Sequence, residues 1–222
     1  MADQRSVPTA NAAPRGKKRP MTAGATKTLD GAKSRDHEVM NAAIQLFWDK
    51  GYAATSVQDV ADAVGMLKGS LYYYIDGKED LLKRIFQDSH AEVSTIAERV
   101  RTSDAKAIDR LTLFLEEYAL WYVTHVKRAS LYAREWRHAG PALRSVLIEQ
   151  RQYYDQVLQG MISDAQQDGD LDPDLDARMA TFYIMSAISS LPDWYRPGKA
   201  KQAESVAHAY AELSLRLLRH AA

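Results

Sequence analysis

The sequence predicts an all-α fold. From about Ser34 onward, apolar residues return at intervals of three and four, as they do on one face of an α-helix. No stretch alternates apolar and polar residues as a half-buried strand would. The breaks between periodic stretches also carry helix punctuation: Gly51, Gly65, Gly140-Pro141, Gly169 and the segment Pro192 to Gly198. A chain of 222 residues suits one long or two short domains and can bury a substantial core.

The elements follow in order. Residues 1–34 are rich in Ala, Pro, Gly, Thr and Lys, lack an apolar period and are expected to be disordered. Val39, Ala43, Leu46 and Phe47 line one face of a helix that ends at Gly51. Thr55 is the expected cap of the next helix, and Gln58 three residues on would close a capping box. Val57, Val60, Ala61 and Val64 form its buried stripe, and Gly65 breaks it. A short helix is expected over Leu67 to Ile75. Leu71 and Ile75 would face inward, leaving Lys68, Ser70, Tyr72, Tyr73 and Tyr74 around the remaining surface. Three consecutive tyrosines cannot all point inward, so at least one faces out.

A long helix begins near Lys78 and runs to about Arg101, with Leu82, Ile85, Phe86, Val93, Ile96, Ala97 and Val100 in period. Asp104 to Val126 is apolar on more than one side, so that helix is buried or lines a cavity. Ala129 to His138 is short. Pro141 to Asp168 follows, stopped by Gly169. Asp172-Pro173 is the expected start of a helix reaching Ser190, with Asp as cap and Pro in the first turn. A loop over Pro192 to Gly198 leads into a last helix over Ala200 to Arg219.

The formal net charge of zero hides an asymmetry. Residues 1–35 hold eight basic residues (Arg5, Arg15, Lys17, Lys18, Arg19, Lys27, Lys33, Arg35) and two acidic ones. Such an arm can bind nucleic acid through counterion release, or it is simply a solvated leader. Translation from Met21 would discard most of it. The chain has no cysteine, hence no disulfide framework, thiolate metal site or cysteine nucleophile. No apolar run approaches the roughly 18–20 residues that span a bilayer, and the first residues do not read as a signal peptide. A cytoplasmic location, with no membrane partner, is therefore expected. Neither a Gly-x-Ser-x-Gly elbow nor a glycine-rich phosphate loop occurs, and the six histidines are scattered. Asp168, Asp170, Asp172 and Asp174 look like a calcium loop, but its sixth and twelfth positions are Pro173 and Met179. No catalytic residue, metal site or cofactor is expected, and the chain is not read as an enzyme.

Thr55 to Leu82 reads as a helix, a tight turn at Gly65, a short helix and the start of a third. That is the plan of a helix-turn-helix, which lays its second helix in the DNA major groove. Over about residues 36–82 the chain resembles the tetracycline-repressor (TetR) family of transcriptional regulators. The matching parts are Gly51-Tyr52, Thr55-Ser56, Val60-Ala61, Ala63-Val64-Gly65, Gly69-Ser70-Leu71-Tyr72, Lys78-Glu79 and Leu81-Leu82. The resemblance implies a basic arm over 1–34, a DNA-binding domain over 35–80, and a helical ligand-binding and dimerisation domain over 81–222. It further implies that Thr55, Tyr72, Tyr73, Tyr74 and Lys78 meet phosphates and that Lys68 and Gly69 approach base edges, with Ser70 beside them. Leu67 departs from the pattern by standing where the family usually has a serine that caps the third helix and touches a phosphate. Charge is a second oddity: residues 36–80 carry three basic groups (Lys50, Lys68, Lys78) against eight acidic ones. The arm would then supply much of the attraction for DNA.

The resemblance continues more weakly through the second domain. It implies a homodimer through the last two helices, with Thr181, Ile184, Met185, Ile188, Val206, Tyr210, Leu213 and Leu217 as contacts; the same residues would also serve an internal core. It implies a cavity for a small-molecule effector lined by Phe114, Tyr118, Trp121, Tyr122, Trp136, Arg137, Arg151 and Tyr154, where by composition a simple core is an equal reading. The segments at 134–138 and 193–198 look similar to members that sense acyl-coenzyme A thioesters. The implied function is a repressor released from a palindromic double-stranded DNA operator by a small apolar or acyl-CoA-type ligand.

Overall fold

A computed structural model describes residues 24–136, 139–198 and 200–219. Among these the chain forms ten helices and no strand. It divides into two compact units, Met1–Arg35 and Asp36–Ala222.

Helix α1 (Gly24–Lys50) starts about ten residues ahead of the expected point. Residues 24–33 lack an apolar period, so burial did not announce them. They contain Ala25, Leu29 and Ala32, however, and extending an existing helix by good formers adds one hydrogen bond per residue fixed. Of the expected disordered segment, residues 1–23 lie outside the described residues. Gly51 ends α1 at φ +86°, a left-handed conformation that favours glycine, with its N–H on the Phe47 carbonyl at 3.1 Å.

Helix α2 (Val57–Ala63) is capped by Ser56, not Thr55. Ser56 Oγ accepts from the Asp59 N–H at 3.1 Å, and the Asp59 carboxylate accepts from the Ser56 N–H at 2.8 Å. The box is therefore closed by Asp59 rather than Gln58, one residue later than expected. Gly65, at φ +63°, makes the turn into α3 (Lys68–Leu71). Helix α3 is a single turn, prolonged by tighter bonds from Tyr73 N–H to Ser70 and from Tyr74 N–H to Leu71. So short a helix does not hold itself together. Leu71 and Ile75 are buried, each on the order of 1.5–3 kcal/mol of burial, and this pins it to the core.

Helix α4 (Lys78–Arg101) passes through both apolar cores. Its first turns (Leu81, Leu82, Ile85, Phe86) join Val39, Ala43, Phe47, Val60, Ala61 and Leu71 in one cluster. Its later turns (Val93, Ala97, Val100) join the other. The Arg84 guanidinium holds the Asp36 carboxylate at 2.6 and 2.7 Å and the Tyr74 carbonyl at 3.1 Å. One side chain thus ties α1 and the end of the α3 segment to α4.

The second core is built around α5 (Ala107–Thr124), which packs against α4, α7 (Pro141–Gln167) and α10 (Ala200–Leu218). Its buried Leu111, Phe114, Leu115, Tyr118, Ala119, Trp121 and Val123 explain why its sequence is apolar nearly all round. His125, at φ −117° and ψ 38°, separates α5 from α6 (Val126–Glu135). Helix α8 (Ala177–Ser189) is capped by Asp176, which accepts from the N–H groups of Arg178 and Met179. The expected start at Asp172-Pro173 is instead a turn: the Asp172 side chain accepts from the Asp174 N–H at 2.9 Å. Part of the expected loop after Ser190 folds as one helical turn, α9 (Leu191–Trp194).

Candidate nucleic-acid interface and ligand cavity

The face built by α3 and its flanks is polar and aromatic. Lys68 and Gly69 are exposed, Ser70 is half-buried, and Tyr72 and Tyr73 are 49% and 90% exposed. Tyr74 instead packs half-buried against the core. Two of the three consecutive tyrosines therefore face out. A Cβ added at Gly69 would meet nothing within 4 Å, so the surface there is open to close approach.

Two expected phosphate contacts look different in three dimensions. Thr55 is 2% exposed, and its hydroxyl donates to the carbonyls of Gly51 at 2.8 Å and Leu46 at 3.3 Å. Its side chain fastens the turn after α1 from within and is not offered to a phosphate. Lys78 does begin α4, but its ammonium donates to the carbonyls of Tyr52 at 2.9 Å and Ala53 at 3.2 Å and sits 4.4 Å from the centre of the Tyr52 ring. Lys50 pairs with Asp59 at 2.8 Å, and that bond with the Ser56 hydroxyl holds the Asp59 carboxyl well below the usual carboxylate range. Of the three basic residues in 36–80, Lys68 alone has no hydrogen bond or ion pair among the described residues.

The second feature is a cavity walled by α4, α5, α6, α7 and α8. Tyr118, Trp121, Tyr122, Arg151 and Tyr154 line it, as expected. Phe114 does not: it is fully buried behind the wall, stacked on Tyr118 at 5.5 Å. Trp136 packs on the helix-turn-helix cluster instead. Arg137 lies outside the described residues. The sequence reading missed Phe86, Ser89, His90 and Val93 of α4, Gln150 of α7, and Met185 and Ser189 of α8. Periodicity assigns such residues to a core and carries no sign of where the core is incomplete. The free space at the centre is about 80 Å³.

Most polar groups of the wall are already paired with protein. The Tyr118 and Tyr122 hydroxyls lie 3.2 Å apart, Tyr154 meets His90 Nδ1 at 2.5 Å, and Tyr132 donates to the Leu147 carbonyl at 3.0 Å. Burial pushes the phenols of Tyr118 and Tyr154 well up, and that of Tyr132 up to about 12, so all three stay neutral. Burial also lowers the His90 pKa, which favours neutral imidazole. The side chains of Gln150, Arg151 and Ser189 show no hydrogen bond among the described residues, and the Arg151 charge bears on Asp155 and Tyr132.

Behind the wall, three helices are clasped together. Arg128 of α6 donates to both oxygens of Glu92 on α4 at 2.9 and 3.1 Å and to Ser89 at 3.1 Å. The Trp121 indole of α5 donates to Glu92 at 2.9 Å. Burial pushes the Glu92 carboxyl up, but these bonds outweigh it and its pKa ends below the ordinary value. Ser89 and Trp121 belong to the cavity wall, so a change there reaches the clasp directly.

The expected dimer contacts divide between inside and outside. Thr181, Ile184, Met185 and Ile188 are buried within the chain's own core and offer nothing to a second copy. They are the inner stripe of α8, which has a second apolar face. On that outer face Met179 is 61%, Tyr183 66% and Phe182 37% exposed. On α10, Leu213 and Leu217 are exposed as expected, with Val206 and Tyr210 half-buried beside them. Among the described residues no three His, Cys, Asp or Glu side chains group as a metal site, and no helix is long and apolar enough to cross a membrane.

These features define the class: a helix-turn-helix DNA-binding chain whose long α4 runs on into a cavity-bearing helical domain. Residues 39–85 match the family model for bacterial regulatory proteins of the tetR family, and residues 104–218 match the tetracyclin repressor-like C-terminal domain. The chain belongs to the tetR family, a family of transcriptional regulators. It is 28% identical over 200 residues to the HTH-type transcriptional repressor KstR2 of Rhodococcus jostii (strain RHA1), covering 88% of this chain and 96% of that one. Its fold is similar to the ketosteroid transcriptional regulator KstR2 of Mycobacterium tuberculosis (TM-score 0.79, 23% identity, 84% of this chain and 96% of that one). It is also similar to AibR, solved in complex with isovaleryl coenzyme A and operator DNA (TM-score 0.69, 24% identity, 83% and 97%).

Proposed function

We propose that this chain is a cytoplasmic, homodimeric transcriptional repressor that leaves a palindromic operator when a small apolar or acyl-CoA-type effector enters the cavity. The observation that carries this is the course of α4. It starts at Lys78 against the helix-turn-helix and, two to four turns on, supplies Phe86, Ser89, His90 and Val93 to the cavity wall. The relatives support this reading, one being a repressor and one having been solved with isovaleryl coenzyme A and operator DNA.

Lys68, Gly69, Ser70, Tyr72 and Tyr73 form the DNA face in this reading. Tyr74 and Lys78 stand behind it as supports. Dimerisation uses the outer faces of α8 and α10, with Met179, Phe182, Tyr183, Leu213 and Leu217 at the centre. A two-fold pair of recognition helices must match half-sites about 34–36 Å apart. Parting the cavity walls tilts α4, changes that spacing and weakens the fit. A tenfold shift requires about 1.4 kcal/mol of differential effector affinity.

Selection of bound DNA from a random library with the full chain tests the reading. A palindromic motif is the expected result, and fluorescence anisotropy on that motif then reports release by isovaleryl-CoA and longer acyl-CoA esters. No enriched motif would overturn the DNA-reading assignment. A motif whose affinity ignores every acyl-CoA and simple apolar ligand would overturn the effector assignment alone.

A further inference from the structure

Leu67 stands at the N-cap of α3 and makes no side-chain capping hydrogen bond. Its side chain is 79% exposed, although the neighbouring Met66 packs half-buried against the core and Leu71 is fully buried. The isobutyl group therefore belongs neither to the core nor to a cap. It is exposed at the N-terminal end of α3, in the same short segment that exposes Lys68, Gly69, Tyr72 and Tyr73, and the N-terminal residues of a recognition helix are the ones that meet base edges in a helix-turn-helix. Of the four bases, only thymine offers an apolar group in the major groove, its C5-methyl.

We propose that Leu67 is a specificity-determining residue that reads a thymine methyl in each half-site. This rests on the α3 face being the DNA-reading surface. Removing a methyl group and an exposed leucine together from water is favourable, and no other base rewards that contact equally. The neighbouring Lys68 has an uncommitted ammonium suited to guanine O6 and N7. Consecutive Cα atoms lie about 3.8 Å apart, and stacked bases about 3.4 Å apart. The thymine therefore falls within about two base pairs of the base that Lys68 reads.

The test replaces thymine by deoxyuridine, which lacks only the methyl, at each thymine of the selected half-site in turn. Affinities are measured by anisotropy at one salt concentration for the full chain and for Leu67→Ala. The exposed position of Leu67 leaves the fold of that variant intact, which circular dichroism checks. The expected result is one position at which deoxyuridine weakens the natural chain about fourfold, the worth of one buried carbon. Leu67→Ala binds both operators there with equal affinity and otherwise behaves as the natural chain does. If no deoxyuridine position weakens binding, or if Leu67→Ala keeps the loss, the assignment of Leu67 is overturned while the selected motif leaves the DNA-reading function standing. If selection enriches no motif, both fall together.

Discussion

Thr55→Val separates a fastening role from a DNA-contacting one. The substitution keeps the shape of the side chain and removes only its hydroxyl. That hydroxyl donates to the Gly51 carbonyl at 2.8 Å and more weakly to Leu46 at 3.3 Å, inside a site 2% exposed. The Leu46 carbonyl lies within α1 and has helical partners of its own, so one good hydrogen bond is lost. The net cost is about 1 kcal/mol, toward 2 if the Gly51 carbonyl stays dry. For a chain of this length that lowers the melting temperature by about 2–4 °C per kcal/mol, measured at fixed protomer concentration because dimerisation couples to stability. Urea denaturation gives the free-energy difference and thermal melting the shift. Thr55→Ser, which retains the hydroxyl, recovers most of the loss. Affinity for the selected operator should be unchanged, since no phosphate contact is removed. The reasoning is refuted if Thr55→Val is as stable as the natural chain but binds the selected operator several-fold more weakly.

Three further outcomes are expected. Tyr183→Glu combined with Leu213→Glu places charges on exposed apolar positions of α8 and α10 and should yield a folded monomer in sedimentation velocity; an unchanged dimer would place the interface elsewhere. The lowered His90 pKa means that, as pH falls below the unfolded value of about 6.5, the unfolded chain takes up a proton that the folded chain refuses. The stability is present above that pH and lost toward the lower folded pKa, so denaturation at about pH 7.5 and about pH 5.5 should show a smaller difference in His90→Gln. Arg128→Met opens the clasp on Glu92 and should leave operator affinity near normal while reducing the effector response by about 0.5–2 kcal/mol of coupling. Equal release of the variant and the natural chain by the same acyl-CoA would remove the clasp from the coupling path.

Helical class and most boundaries were legible because burial imposes a period. Val60, Ala61, Leu71, Ile75 and the run from Leu82 to Val100 lie where that period puts them. Positions decided by a single rotation or by tertiary partners were not legible. Thr55 and Ser56 are both competent caps, and only the folded turn shows that Thr55 points inward while Ser56 caps. Helix α8 is apolar on two sides, and periodicity does not say which stripe faces a second copy and which faces the chain's own core. Lys78 reads as a free cation until the chain reversal brings the Tyr52 and Ala53 carbonyls to it. The α4 share of the cavity was missed for the same reason: Phe86 and Val93 are ordinary core residues by pattern, and only packing leaves a space beside them.

The size of that space bears on how a signal would leave it. About 80 Å³ has room for roughly five to eight waters, the bulk of a short acyl group but not of a whole acyl-CoA. A guest that fills it meets walls contributed by α4 on one side and by Gln150, Arg151 and Tyr154 of α7 on the other. Both walls reach the helix-turn-helix core, α4 through Leu82 and Phe86, and α7 through Leu143 and Leu147. The Arg84 guanidinium joins α4 to α1 through Asp36 and to the end of the α3 segment through the Tyr74 carbonyl. In the proposed mechanism cavity widening and recognition-helix position would be one displacement, and an effector's preference for the widened cavity would equally be a preference against the DNA-bound spacing. A compound with equal affinity for both forms would shift nothing, however tightly it binds. Across a homologous series of acyl chains, release should accordingly set in with guest volume and not track affinity; release already complete with the smallest binder would show that the walls do not carry the signal.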